Sequence, residues 1–406
     1  MKKVLFSCLI LFPLLVKAGG YQINTQSQKG ASMGGSVTGL AMDASVTFYN
    51  PAGLSALDSN YFNIGASLLM PKTAFLGPYG GTEQLSTKSF SAFYLYGNYI
   101  LNSKLTLGLS VNTPFGLGTK WDNKWSGRYV IQEARITTLF IQPTLAYKLN
   151  DRFSVGVGPV IVTANTKFRK ALNVLNQDGT DGQLELKGAG NGFGFNAGVF
   201  ARLGKTSVGI SYRSEVKLDI ENGDAVFSNI PVSLISNGTY PTNAKYNSSI
   251  TLPSVISVGV GRVLNEKLTA NLDVNFTSWN VNDSLVFSYA DYPALNTSSA
   301  RKFKNSFAIR IGAKYQYSER MQLRGGIGYD QSPVPDGYVN PELPDADKVI
   351  LGAGCTYKLK KGWSLEGSFT FEDLRERKKE RNKQENINGT YKSYIYVLGL
   401  GLQYQF

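Results

Sequence analysis

The chain ends on an unbroken alternation. Tyr394, Tyr396, Leu398, Leu400, Leu402, Tyr404 and Phe406 fall on one face, and Ser393, Ile395, Val397, Gly399, Gly401, Gln403 and Gln405 on the other. A period of two places successive side chains on opposite faces of a strand. One continuously apolar face with aromatics at both ends is what a strand needs to cross a bilayer in a closed barrel. The pattern recurs upstream. Phe303, Phe307, Ile309, Ile311 and Tyr315 oppose Lys304, Ser306, Arg310 and Lys314. Leu268, Leu272, Val274 and Phe276 oppose Thr269, Asp273 and Asn275, and Trp363, Leu365, Phe369 and Phe371 oppose Ser364, Glu366 and Thr370. An unpaired charge in a dry apolar core is costly. Arg310, Lys314, Asp273 and Glu366 therefore point to a wet or ligand-filled lumen rather than a sandwich interior.

The connections alternate in length. Short turns fall at 101–104, 149–152, 203–205, 264–267, 317–320 and 360–362, and longer links near 71–88, 117–127, 172–184, 220–245, 279–302, 331–347 and 373–390. Six turns and seven loops join fourteen strands. An even-numbered antiparallel barrel leaves no edge unsatisfied in lipid, and short turns belong to its periplasmic side. Both termini are then periplasmic. No later segment reaches the roughly 20 apolar residues of a transmembrane helix.

One strand breaks its own rule. In "LTLGLSVNTPFGLGTKW", 105–121, Leu105, Leu107, Leu109 and Val111 alternate with small and polar residues, and then Pro114, Phe115 and Gly116 interrupt. Proline removes a ladder donor and glycine weakens a strand, so both sit at edges, bulges or openings. Two arrangements fit these residues: a strand kinked out of the wall, or a strand that leaves the membrane for its loop.

Composition sets the compartment and removes whole classes of chemistry. Lys2 and Lys3, an apolar run from Val4 to Val16 and the "VKA" of 16–18 read as a secretory signal peptide over residues 1–18. With Cys8 in that leader, the mature chain keeps Cys355 alone and forms no internal disulfide. Histidine is absent, which removes His-dependent triads, His general bases and His metal ligands. Neither a catalytic step, a metal nor a cofactor is expected. The net charge of +13 becomes +10 once Lys2, Lys3 and Lys17 depart, since 39 basic residues then face 29 acidic ones. In an exported chain such a balance suits anionic lipid head groups, and no nucleic-acid role is expected. The run "RERKKERNK", 375–383, reads as a solvated face touching lipopolysaccharide phosphates.

Residues 19–57 do not alternate. They are small and rich in Gly and Ser, and a barrel of fourteen strands has a lumen too wide for wall side chains to fill. A compact plug is the economical use of this segment, with a periplasmic tail as the other arrangement. Here "GGYQINTQSQKGASMGGS" and "YNPAGLSAL" resemble the N-terminal hatch of the FadL family, outer-membrane transporters of long-chain fatty acids and other hydrophobic compounds. Asn50, Pro51 and Ala52 match its Asn-Pro-Ala motif, and similarity continues through 113–129, 251–268 and 329–348.

The resemblance implies an all-β, 14-stranded antiparallel transmembrane barrel over 58–406, plugged by a hatch at 19–57. It implies a monomer in the bacterial outer membrane, surrounded by lipid and lipopolysaccharide. A long-chain fatty acid or other hydrophobic ligand would be captured at outer loops and leave sideways through an inward kink of the third strand. Counted here, that strand carries Pro114, Phe115, Gly116 and Leu117, with Phe115 and Leu117 lining the opening. In "TKFRKAL", Lys170 matches by position a basic residue near the family's high-affinity pocket, making Lys170 and Arg169 candidate carboxylate binders. A solvated or lipopolysaccharide-facing base fits Lys170 equally. Trp121 and Trp125 fit either interfacial anchors or a capture groove. With no energy-coupling motif, passive diffusion is expected. Three other functions are weighed against it: a protein-secretion partner or shuttle, a lipid-modifying enzyme, which the absence of histidine disfavours, and a hydrophilic porin, which a plug disfavours.

Overall fold

The computed structural model describes residues 19–174, 176–385 and 387–406; the 1–18 leader lies outside them. Fourteen antiparallel wall strands close on themselves. They are β1 (Tyr61–Leu76), β2 (Phe90–Ile100), β3 in two pieces, β3a (Leu105–Asn112) and β3b (Gly116–Lys120), β4 (Glu133–Lys148), β5 (Phe153–Leu172) and β6 (Gly182–Leu203). Then come β7 (Thr206–Arg213, resumed at Val216–Ser228), β8 (Asn243–Leu252, resumed at Val255–Val263), β9 (Leu268–Thr277) and β10 (Ser306–Gln316). The wall ends with β11 (Met321–Asp330), β12 (Lys348–Lys358), β13 (Trp363–Leu374) and β14 (Asn388–Gln405). Sequential neighbours pair throughout, and β14 closes on β1 from Tyr61↔Gln405 to Leu76↔Thr390.

The alternation turns as expected at the C-terminal strand. Leu398 and Leu400 are 50% and 69% exposed on the lipid side, whereas Val397 between them is 1% exposed. β5 and β6 run 20 and 22 residues, beyond what a bilayer needs, so their upper ends stand above it among the loops. Phe303 departs from the pattern. Its strand starts only at Ser306, and the ring is buried against Trp279, with centroids 6.1 Å apart.

The lumen is occupied rather than wet. Residues 19–56 are almost entirely buried against the wall. They form helix α1 (Gln28–Ser32), helix α2 (Val46–Tyr49) and a 3-10 turn (Pro51–Ala56). Ser27 caps α1 by accepting the Gly30 amide at 2.9 Å. Asn50 caps the 3-10 turn, its Oδ1 accepting the Ala52 amide at 3.2 Å with Pro51 in the first position. The same Asn50 donates through Nδ2 to the Val199 carbonyl of β6 at 3.1 Å. Asn-Pro-Ala is thus a cap that is also a wall contact. A β-carbon on Gly156 of β5 would overlap Pro51, and one on Gly198 of β6 would overlap Asn50. Only glycine lets the backbones approach so closely.

The lumenal charges expected to meet water have buried partners instead: Glu366 and Asp273 in this segment, Arg310 on β11. Lys29 lies 2.8 Å from Asp43 and 3.2 Å from Glu366, and donates to Gln403 at 2.6 Å. Asp273 accepts the Val37 and Thr38 amides, each at 2.8 Å. Arg310 donates to both oxygens of Asp330, at 2.8 and 2.7 Å.

Candidate functional site

The wall is interrupted at β3, as it is at 214–215 of β7 and 253–254 of β8. β3a pairs with both neighbours: with β2 as far as Tyr94↔Asn112, and with β4. β3b pairs with β4 alone, from Gly116↔Thr137 to Lys120↔Glu133. Between lie Thr113, Pro114 and Phe115. The strand resumes beyond Pro114, so this is an interruption within the strand and not its end. The Thr113 hydroxyl spans the start of the break, meeting both the amide and the carbonyl of Phe93, at 3.1 and 3.3 Å. Above it, the Ser86 amide donates to the Lys120 carbonyl at 2.7 Å and closes the top.

The main-chain groups freed by the break turn to the N-terminal segment. The Ile23 amide donates to the Pro114 carbonyl at 2.8 Å, the Gly116 amide donates to the Tyr21 carbonyl at 3.0 Å, and Gln22 bridges Phe115 as a one-residue antiparallel strand. Residues 20–25 form a leader that leaves the segment's body and lies along the break. Phe115 is buried between Tyr21, Phe140 and Trp279. The leader is fastened at its start, where the Gly20 amide donates to Asp345 of the 331–347 loop at 2.9 Å. Burial pushes the Asp345 carboxyl above the usual carboxylate range, against the pull of Lys348 and of its hydrogen bond from Ser332.

Three cavities run in series from the outer loops to the break. The outer one, ≈ 510 Å³, lies beneath the loops among Phe168, Leu186, Phe227 and Tyr289. A middle cavity of ≈ 110 Å³ shares Phe168, Leu285, Arg301 and Glu342 with it. The third, also ≈ 110 Å³, opens along the break, lined by Phe90, Gly116, Leu117 and Gly118 with the leader. It shares Tyr21, Leu117 and Leu343 with the middle one. Leu117 therefore stands between two cavities, whereas Phe115 braces the leader.

Arg169 and Lys170 both line the outer cavity. Lys170 lies on the same face of β5 as the buried Val162, Ala164 and Phe168, and has no hydrogen-bond or ion-pair partner among the described residues. Arg169 donates to Asn123 at 2.8 Å. Lys167, in the same run, pairs with Glu133 and Glu185 at 3.2 and 3.3 Å. Trp121 and Trp125 are buried, stacked 4.5 Å apart, and donate their indole N–H groups to the Pro341 and Ile131 carbonyls at 2.9 and 2.7 Å. They are neither interfacial anchors nor part of the outer cavity's lining. In the 375–383 run, Arg377 turns inward, reaching the Val334 carbonyl at 2.6 Å and tying two loops together.

Sequence reasoning did not single out Tyr21, Ile23, Arg301, Glu342 or Leu343. Tyr21 and Ile23 lie in the stretch that resembles the hatch, and Glu342 and Leu343 in the similar stretch 329–348, but no local pattern marks what they touch.

Known proteins resemble this chain along nearly all of its length. A sequence profile of the family described as "Outer membrane protein transport protein (OMPP1/FadL/TodX)" matches residues 10–406. A putative outer membrane protein of Neisseria meningitidis serogroup B is 29% identical, over 96% of this chain and 95% of its own. The long-chain fatty acid transport protein of Escherichia coli K12 is 26% identical over 86% of each chain. Among solved structures, a Pseudomonas aeruginosa FadL homologue has a TM-score of 0.85 at 18% identity, covering 96% of this chain and 100% of that one. At that identity the likeness is one of fold.

Proposed function

This chain belongs to the OMPP1/FadL/TodX family of outer membrane transport proteins, and from that premise we propose that it takes up hydrophobic molecules, long-chain fatty acids among them, by passive diffusion and releases them sideways through the break in β3. The observation that carries this reading is the loss of β2–β3b pairing at the place where the third cavity lies. The Asn243–Leu252 piece of β8 likewise pairs with β7 alone, apart from a bridge between Asn247 and Ser288. A ligand moving from an apolar cavity into the bilayer keeps roughly 0.8 kcal/mol per buried CH₂, which an aqueous exit would forfeit.

Capture takes place in the outer cavity, whose ≈ 510 Å³ falls within the roughly 300–1,000 Å³ typical of ligand pockets. The two cavities of ≈ 110 Å³ are below that range. Passage therefore requires the leader to shift from the break, widening the route past Tyr21 and Leu117. The body of residues 28–56 stays in place as the plug, so the lumen is not an open pore. Lys170 offers its unpartnered ammonium to a ligand carboxylate in the outer cavity.

The experiment replaces Pro114-Phe115-Gly116 with Thr-Val-Thr, residues able to continue the ladder. Uptake of radiolabelled oleate is measured in a strain whose only importer of this type is the variant, and folding is checked by heat-modifiable migration of the barrel. The expected result is a folded barrel with uptake at the level of the deletion strain. A folded barrel with undiminished uptake overturns the side exit.

A further inference from the structure

Where β7 and β8 are interrupted, a small cavity of ≈ 40 Å³ lies between the hatch and the wall. Arg213, the last residue before the gap in β7, lines it together with Arg310 of β10, and Gly35 and Phe48 of the hatch form the facing side. Both arginines are buried, at 8% and 7% exposure, and in each the Nε–H group has no hydrogen-bond partner. The rest of each guanidinium is fixed. Arg310 donates to Asn275 at 2.6 Å and to both Asp330 oxygens, and its Nε stands 3.1 Å from where a β-carbon on Gly35 would lie. Arg213 donates through Nη2 to the Phe48 carbonyl at 2.7 Å, and its guanidinium carbon lies 3.8 Å from the centre of the Phe48 ring. The two differ in charge balance. Arg310 has Asp330 as its counterion, whereas Arg213 has no carboxylate at ion-pair distance among the described residues, and no Asp or Glu lines the cavity. A carbonyl and a ring face attract a guanidinium without cancelling its charge, and a buried charge left unpaired is costly. Neighbouring donors are spent elsewhere: Asn275 on Ser257 at 2.6 Å, and Ser211 on the Tyr49 carbonyl at 2.8 Å.

We propose that this cavity binds one small monovalent anion, chloride, which accepts both free Nε–H groups and supplies the counter-charge that Arg213 lacks. Size selects the class. A cavity holds a water molecule from roughly 10–15 Å³ upward. At ≈ 40 Å³ this one accommodates a monatomic ion and excludes a lipid chain. Water would accept the same two donors but leave the charge of Arg213 uncompensated. Hydrogen bonds from a charged donor to an anion are the stronger kind. The anion bridges β7 and β10 against Gly35 and Phe48, so it fastens the body of the hatch to the wall where the ladder is interrupted. It is a structural ligand and not cargo, and the site stands whether or not the uptake reading holds.

The test follows urea unfolding of the full barrel in lipid vesicles, with sodium chloride exchanged for sodium methanesulfonate, whose anion is too large for the cavity, at constant ionic strength. Once chloride exceeds its dissociation constant, the folded-to-unfolded ratio at fixed urea is expected to rise about tenfold for each tenfold rise in chloride, the slope of a single site. Bromide is expected to replace chloride. Arg213→Gln removes the uncompensated charge and is expected to be equally stable in both salts. Crystals of the unsubstituted barrel grown in sodium bromide are expected to show anomalous density between the two Nε atoms, and this measurement with the chloride slope decides the matter should Arg213→Gln fail to fold. Equal stability of the unsubstituted barrel in chloride and methanesulfonate overturns the proposal, as does a chloride effect that Arg213→Gln retains. A cavity without anomalous density in bromide overturns it too. Bromide density with no chloride effect in solution is binding at crystal concentration only and likewise overturns it.

Discussion

The N-terminal segment is held in two different ways along its length. Its body, residues 28–56, is fixed by charge and by caps: Lys29 among Asp43, Glu366 and Gln403, two amides on Asp273, and Asn50 capping its own turn while bonded to β6. Its leader, residues 20–25, lies on the broken strand through two main-chain hydrogen bonds and apolar contacts, with Asp345 at its start. Removing one partner from a buried charge cluster leaves an uncompensated charge, so the body resists displacement. The leader carries no charge of its own; Tyr21 and Asn24 hold it to Asn282 and Asp330 through neutral donors at 3.1 and 3.0 Å, and it borders the two small cavities. On the proposed route, a single segment serves as a fixed plug over most of its length and as a replaceable wall at its beginning.

Variants in the two regions should separate cleanly. The largest stability effect is expected for Lys29→Ala, which leaves Asp43 and Glu366 buried and facing each other across the hatch–wall contact. It should cost about 3–5 kcal/mol, read as a lower guanidinium midpoint for the barrel in lipid vesicles. An unchanged midpoint would mean that the body is not fixed by charge. Asn50→Ala should cost about 1 kcal/mol, the usual loss for an N-cap, with oleate uptake within about twofold of normal. A large uptake defect in a variant of that stability would place the body on the transport route and dissolve the distinction.

The two regions also differed in how far the sequence revealed them. The wall was legible because alternation is local and repeats: the 393–406 face reappears strand after strand, and turn lengths set the count. The break in β3 was legible because proline and glycine leave marks wherever they act on a ladder. Of the two arrangements left open there, kink or strand end, the kink is favoured by β3b, which resumes at Gly116 and pairs on one side only. What the lumen contains was only half legible. Arg310, Asp273 and Glu366 signal a polar interior, but the partners of Asp273 and Glu366 lie in a segment far up the chain and that of Arg310 on a neighbouring strand, so the sequence suggested water where the structure has hatch backbone and counterions. Arg301 and Glu342 left no signal at all. Each is a single charge in a loop without periodicity, and their meeting depends on how two loops fold over the barrel. Trp121 and Trp125 illustrate the same limit: an indole at the rim of a strand reads alike whether it faces lipid or is stacked and hydrogen-bonded beneath a loop.

The most direct test of the sideways route fastens the leader to the broken strand. In a Cys355→Ser background, Gln22→Cys with Phe115→Cys joins the bridged pair, and Ser36→Cys with Asn271→Cys joins the body to β9 at a site already hydrogen-bonded. Oleate uptake is measured in each strain before and after reduction. The account predicts that the oxidised leader tether lowers uptake at least about tenfold, that reductant restores it, and that the body tether is without effect in either state. Full uptake with the leader tether closed would contradict it.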